Sequence, residues 1–159
     1  KAKILIVEDE AVIALELEAS VKALGYDVVD VADNGDDAIR LVEQHKPNLI
    51  LMDIRIKGDK EGIDTAAIIK ELYDIPIIFS TAHMDEDRLK RAKITLPYGF
   101  ILKPIQERDI RITIEMALYV SQIEKERKRF EQKKIEILED QLRLQKANGE
   151  LTDKLKEAI

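Results

Sequence analysis

The stretch ILIVEDE, Ile4 to Glu10, runs four apolar residues directly into three carboxylates. Its apolar half reads as a fully buried strand. Folding alone gives no reason for the acidic half. Two ionised carboxylates about 4 Å apart repel by roughly 4 kcal/mol at an effective dielectric near 20, so Glu8, Asp9 and Glu10 weaken the fold unless a cation or a proton relieves them. The pattern predicts a buried strand that delivers acids to a binding site.

Working outward, short apolar runs recur at DVVDVA (27–32), LILM (49–52), PIIFS (76–80) and FIL (100–102). Between them, near 10–24, 36–45, 62–73 and 85–94 and from 106 onward, the apolar spacing suits amphipathic helices. Gly25 is placed to end the first, and Pro47 bars the second from continuing. Hydrophobic strands alternating with helices make a parallel sheet covered on both faces. The expected fold is α/β, a flavodoxin-like doubly wound sheet of five parallel strands in the order 2-1-3-4-5.

The chain has 159 residues, enough for one ordinary domain with length to spare. It contains no cysteine, which excludes disulfides, thiol catalysis and Cys-ligated zinc. No apolar run approaches the ~18 residues of a membrane span, and no signal peptide is visible, so the expected compartment is cytoplasmic with no membrane association. The net charge of −6 gives no general attraction for nucleic acid. In KERKRFEQKK (125–134) bases are mixed with acids, which reads as a solvated helix face.

Open parallel sheets bind ligands outside the carboxyl ends of their strands. The residues expected at that rim are Glu8, Asp9 and Glu10 after the first run, Asp53 after the third, Thr81 after the fourth and Lys103-Pro104 after the fifth. Singly, each has a structural explanation, as a first-turn acid, a loop acid, a helix cap or a surface lysine. Jointly they form a set. A hard cation such as Mg²⁺ takes oxygen ligands and keeps several waters, so Glu8, Asp9 and Asp53 suffice to hold it. An aspartate beside the cation can attack an activated phosphoryl group and form an acyl phosphate. The charge-spread transition state is then stabilised by the metal, the Lys103 ammonium and a hydroxyl such as Thr81.

With these residues in place, the chain resembles a two-component response-regulator receiver domain over residues 3 to about 119. The resemblance rests on Glu8-Asp9, on Asp53 in LILMDIRIKG, on Thr81 in IIFSTAH, on Lys103 in GFILKP and on Phe100 three residues before that lysine. It implies that Asp53 is the phosphoacceptor and that Thr81 and Phe100 are switch residues. It implies a metal site for Mg²⁺ or Mn²⁺ made by Glu8, Asp9, Asp53 and the backbone carbonyl of Arg55. A cis Lys103–Pro104 bond is implied as well. Ala82 and His83 would neighbour the phosphoryl pocket, with His83 and Arg55 influencing how long the phosphate survives. His45 and His83 lack the spacing of a metal-ligand pair.

The expected division is a receiver domain over 1–121 and a helical linker or coiled-coil extension over 122–159. Met116, Ile123, Phe130, Ile137, Leu144 and Leu151 recur every seven residues. Their companion positions Arg127, Lys134, Gln141 and Asn148 are polar, so a weak parallel dimer is expected rather than an autonomous zipper. Asn148-Gly149-Glu150 is the expected place for a kink or interruption. The function expected is a signalling switch that takes phosphate from a sensor histidine kinase and acts on a downstream partner. It is not expected to be an enzyme beyond its own phosphorylation and dephosphorylation. The alternatives are a Mg²⁺-dependent phosphohydrolase with an aspartyl nucleophile, whose D-x-D signature is missing at Asp53-Ile54-Arg55, and a scaffold that is no longer phosphorylated.

Overall fold

The computed structural model describes residues 1–82 and 86–159. Its elements alternate strictly: β1 (Lys3–Val7), α1 (Ala11–Ala23), β2 (Asp27–Ala32), α2 (Gly35–His45), β3 (Leu49–Asp53), α3 (Gly62–Leu72), β4 (Ile77–Thr81), α4 (Glu86–Ile94), β5 (Gly99–Leu102) and α5 (Glu107–Ala158). All strand pairs are parallel and the sheet order is β2-β1-β3-β4-β5, as the alternation of apolar runs and helices requires.

The near-continuous apolar character of β1 and β3 follows from having two covered faces. Successive side chains point to opposite sides of a strand. Leu5, Val7, Ile50, Met52 and Phe79 therefore pack into one core with Leu41 and Val42 of α2 and Ile63 and Ile69 of α3. Ile4, Ile6, Leu49, Leu51 and Ile78 pack into the other with Leu17 and Val21 of α1 and Ile110 and Ile114 of α5. Each fully buried aliphatic side chain contributes about 1.5–3 kcal/mol. The two cores fix the sheet as a rigid platform, and the carboxyl ends of its strands as one rim.

Local chemistry sets the helix boundaries. The Asn34 side chain accepts a hydrogen bond from the Asp37 amide at 2.9 Å and caps α2. Lys46 ends that helix in the left-handed region at φ 48°, immediately before Pro47. After α1, Gly25 takes φ 96°, which a side chain would oppose. Gly62 meets a different demand, because a Cβ there would overlap the Asp53 carbonyl oxygen. Its amide donates to the Ile54 carbonyl at 2.9 Å, drawing the start of α3 against the end of β3.

Lys1–Ser121 and Gln122–Ile159 form two compact units. The second is helical and largely exposed, including Phe130, Ile137, Leu144 and Leu151 of the seven-residue series. Helix α5 is uninterrupted through Asn148-Gly149-Glu150, which corrects the expected break. A glycine in an exposed helix costs only about 1 kcal/mol relative to alanine, and good helix formers flank it on both sides. Thr152 Oγ1 also donates to the Asn148 carbonyl at 2.9 Å across this turn.

Candidate functional site

Asp53 and Thr81 are the last residues of β3 and β4, one position earlier than a site placed after the strands. Glu8 follows β1 directly and its amide donates to the Ala32 carbonyl at 2.9 Å, so the first acid is held where β1 and β2 end together. Glu8, Asp53 and Thr81 are all buried. One carboxylate oxygen each from Glu8, Asp9 and Asp53 lies within 4.8 Å of the other two. Glu10 does not join them: it is exposed and serves as the N-cap position of α1. The acidic cluster thus divides into two site acids and one helix-start acid, a split that the unbroken run of charge in the sequence does not signal.

Lys103 closes the rim from β5. Its Nζ lies 2.6 Å from Glu8 Oε1 and 2.7 Å from Asp53 Oδ2, bridging the two buried acids. Its amide donates to the Thr81 carbonyl at 2.9 Å, which aligns the lysine beside the hydroxyl-bearing strand end. The Lys103–Pro104 bond is cis. On the other side of Asp53, the Arg55 amide donates to Oδ1 at 3.0 Å. That contact is invisible in sequence, because a backbone donor carries no residue-type signature.

Electrostatics at the rim are unbalanced. Burial, then hydrogen bonding to Asp53, pushes the Glu8 carboxyl up to about 7, against the pull of Lys103. Burial works against the Lys103 charge, but its hydrogen bonds to Asp53 and Glu8 outweigh it and hold the ammonium above its ordinary value. Lys103 bonds two of the three clustered carboxyl groups, Glu8 and Asp53, and the ligand atoms that the cluster offers are all oxygen. Such a set fits a hard divalent cation, which would add the missing positive charge.

Phe100 is half-buried on β5, opposite Phe79 in the β4–β5 register, with ring centroids 5.9 Å apart. Ala82 is exposed just past Thr81. It lines a cavity of about 430 Å³ together with Ile13, Leu17, Lys103, Pro104 and Ile105. His83 lies outside the described residues.

Residues 4–115 match the response-regulator receiver-domain model. The chain belongs to the receiver-domain family. It is 34% identical over 116 residues to the transcriptional regulatory protein PdtaR of Mycobacterium tuberculosis, covering 73% of this chain and 56% of that one. It is 35% identical over 121 residues to the phyllosphere-induced regulator PhyR of Methylorubrum extorquens, covering 76% and 45%. The chain thus spans about half the length of these curated relatives. Among solved structures, the signal receiver domain of a modulated diguanylate cyclase from Desulfovibrio desulfuricans superposes with a TM-score of 0.75 at 36% identity, covering 77% of this chain and 98% of that one.

Membership gives the rim its general chemistry. Receiver domains are phosphorylated by histidine kinases and bind Mg²⁺ at an acidic pocket, and Glu8, Asp9 and Asp53 form such a cluster here. No helix among the described residues is long and apolar enough to cross a membrane.

Proposed function

We propose that this receiver is phosphorylated on Asp53 by a sensor histidine kinase and that the phosphoryl group resets its surface toward a downstream partner. The observation that carries this reading is the placement of Asp53 between the Lys103 ammonium and the Arg55 amide, beside two further acids. An Asp53 carboxylate oxygen attacks phosphorus, the bond from phosphorus to the donor imidazole nitrogen breaks, and the imidazole leaves with that electron pair. Lys103 turns from the carboxylates to the transferred oxygens, and Thr81 donates its hydroxyl to one of them.

Glu8, Asp9, Asp53 and the Arg55 carbonyl would hold Mg²⁺ or Mn²⁺, which when bound supplies positive charge to the phosphoryl oxygens. Hydrolysis of the acyl phosphate returns the domain to rest, with the small, exposed Ala82 leaving water access beside Thr81. The protein acts on no substrate but itself. The cytoplasm is its proposed location, and self-association through the receiver and the C-terminal helix its proposed assembly.

Phosphorylation with acetyl phosphate and Mg²⁺, followed by mass-spectrometric mapping of the acid-labile phosphate, tests the assignment. All label is expected on Asp53, and equal labelling of Asp53→Ala would overturn it.

A further inference from the structure

Helix α4 buries little of itself. Among its described residues only Ala92 is buried, with Leu89 half-buried. Polar ties to α3 stand in for the missing apolar contact. Arg91 forks between two acids at the start of α3: its Nη1 lies 3.3 Å from Glu61 Oε2 and its Nη2 3.2 Å from Asp64 Oδ1. Arg88 Nη2 lies 3.4 Å from the other Glu61 oxygen. Beyond the carboxyl end of α4, the Thr95 carbonyl accepts from Lys70 Nζ of α3 at 2.7 Å. Single exposed ion pairs contribute little, but a network built on a forked guanidinium is the case in which such charges count.

We propose that Glu61, Asp64, Arg88 and Arg91 form an ionic latch that sets how readily α4 detaches from α3, and that Glu61 passes the state of the latch to Asp53. Glu61 holds the N-cap position of α3, yet its side chain makes no cap hydrogen bond there. Its carboxylate is turned to the two arginines instead. The next residue, Gly62, is seated where a Cβ would strike the Asp53 carbonyl oxygen, and its amide donates to the Ile54 carbonyl at 2.9 Å. The residue that takes the load from α4 is therefore bonded to the one that presses on the acceptor's backbone. With few apolar contacts to break, α4 opens at low cost once the charges part, a property of elements that unfold locally. Salt screens half-exposed pairs of this kind and so loosens the latch. Arg91 and Glu61 touch neither the acceptor carboxylate nor a phosphoryl group; they are positioning residues.

Amide hydrogen exchange of the full chain, without phosphate donor, tests the latch. Arg91→Met is expected to speed exchange in α4 by about five-fold while β1 and β3 keep their protection. Arg91→Lys, which keeps the charge but cannot fork, should give a smaller rise. In a Glu61→Gln and Asp64→Asn background the Arg91→Met effect should vanish, which separates the latch from any influence of these acids on the α3 terminus. Molar salt should bring wild type toward the Arg91→Met rate. An α4 rate within two-fold of wild type, an equal Arg91→Met effect in both backgrounds, or a matching loss of protection in β1 and β3 would overturn the latch. The link to the acceptor rests on the proposed role of Asp53 and has its own readout, labelling by acetyl phosphate with Mg²⁺. Arg91→Met should slow labelling about two- to five-fold, and Arg91→Lys less. Unchanged labelling with faster α4 exchange would overturn the link alone. Absence of label on wild-type Asp53 would instead overturn the proposed phosphoacceptor and the link with it, while the exchange rates still decide the latch.

Discussion

Lys103 Nζ lies 2.7 Å from Asp53 Oδ2, so the cation that the domain carries in its own sequence is seated on the residue proposed to be phosphorylated. The same ammonium bonds Glu8 on its other side. The lysine therefore has a resting duty, neutralising two buried acids, and a proposed transfer duty on the phosphoryl oxygens.

Removing that charge should separate the two duties. Lys103→Met leaves Glu8 and Asp53 buried without a counter-ion, a change of the kind that costs about 3 kcal/mol. The expected result is a lower unfolding midpoint without Mg²⁺, a larger rise on adding Mg²⁺ than wild type shows, and slow phosphorylation even when the fold is restored. Equal Mg²⁺ responses in the two proteins would show that Lys103 does not balance this site.

The raised Glu8 pKa gives a pH dependence with a definite sign. Because the folded value of about 7 lies above the ordinary 4.5, the folded state binds the proton more tightly than the unfolded one. Without Mg²⁺, the Glu8 contribution is full below about pH 4.5 and is lost as pH rises through about 7. A shift of this size corresponds to at most about 3 kcal/mol. Urea unfolding from pH 5 to 8 should show the difference between wild type and Glu8→Gln falling with pH. Saturating Mg²⁺ should abolish the trend, since the cation favours the ionised form. A difference that rises with pH would contradict the placement of Glu8.

Gly62 has the least tolerant backbone contact near Asp53. A Cβ at this position overlaps the Asp53 carbonyl oxygen and crowds that of Ile54, so neither neighbour can yield without moving the acceptor strand. Gly62→Ala should cost about 1–3 kcal/mol, as overpacking does, and should slow labelling of Asp53 beyond what the lost stability explains. Thermal unfolding and acetyl-phosphate labelling measure the two effects. Normal labelling in a destabilised variant would show that the α3 start does not position Asp53.

Much of this was legible in the sequence, and the reasons differ by element. The five apolar runs announced the sheet because a parallel strand buried on both faces cannot alternate, and Ile4–Val7 and Leu49–Met52 do not. Asp53 and Lys103 could be nominated because strand ends define the rim. The run Glu8-Asp9-Glu10 could not be divided, since the turn into α1 that sends Glu10 to solvent leaves no mark on residue type. Gly149 misled through its intrinsic helix penalty, which is small against the surrounding helix. The Asp33–Lys57 pair was not legible at all: it joins the loops that follow β2 and β3, which meet only through the bridge between Asn34 and Lys57.

The stem supplies the last prediction. Met116, Ile123, Phe130, Ile137, Leu144 and Leu151 are all exposed and recur every seven residues along one helix. Exposed apolar surface of this extent marks an interaction site. A second copy offers the same stripe, but Arg127, Lys134, Gln141 and Asn148 would occupy the companion layers and lower the affinity. Association is therefore expected at roughly tens of micromolar. Receiver contacts must add to it, which would make it stronger when beryllofluoride mimics the phosphoryl group on Asp53. Sedimentation of the full chain should show a concentration-dependent dimer that the double substitution Ile137→Asp and Leu144→Asp abolishes. Both positions are exposed, so the receiver should stay folded in that variant. Monomers in every sample, with and without beryllofluoride, would show that this helix does not assemble the protein.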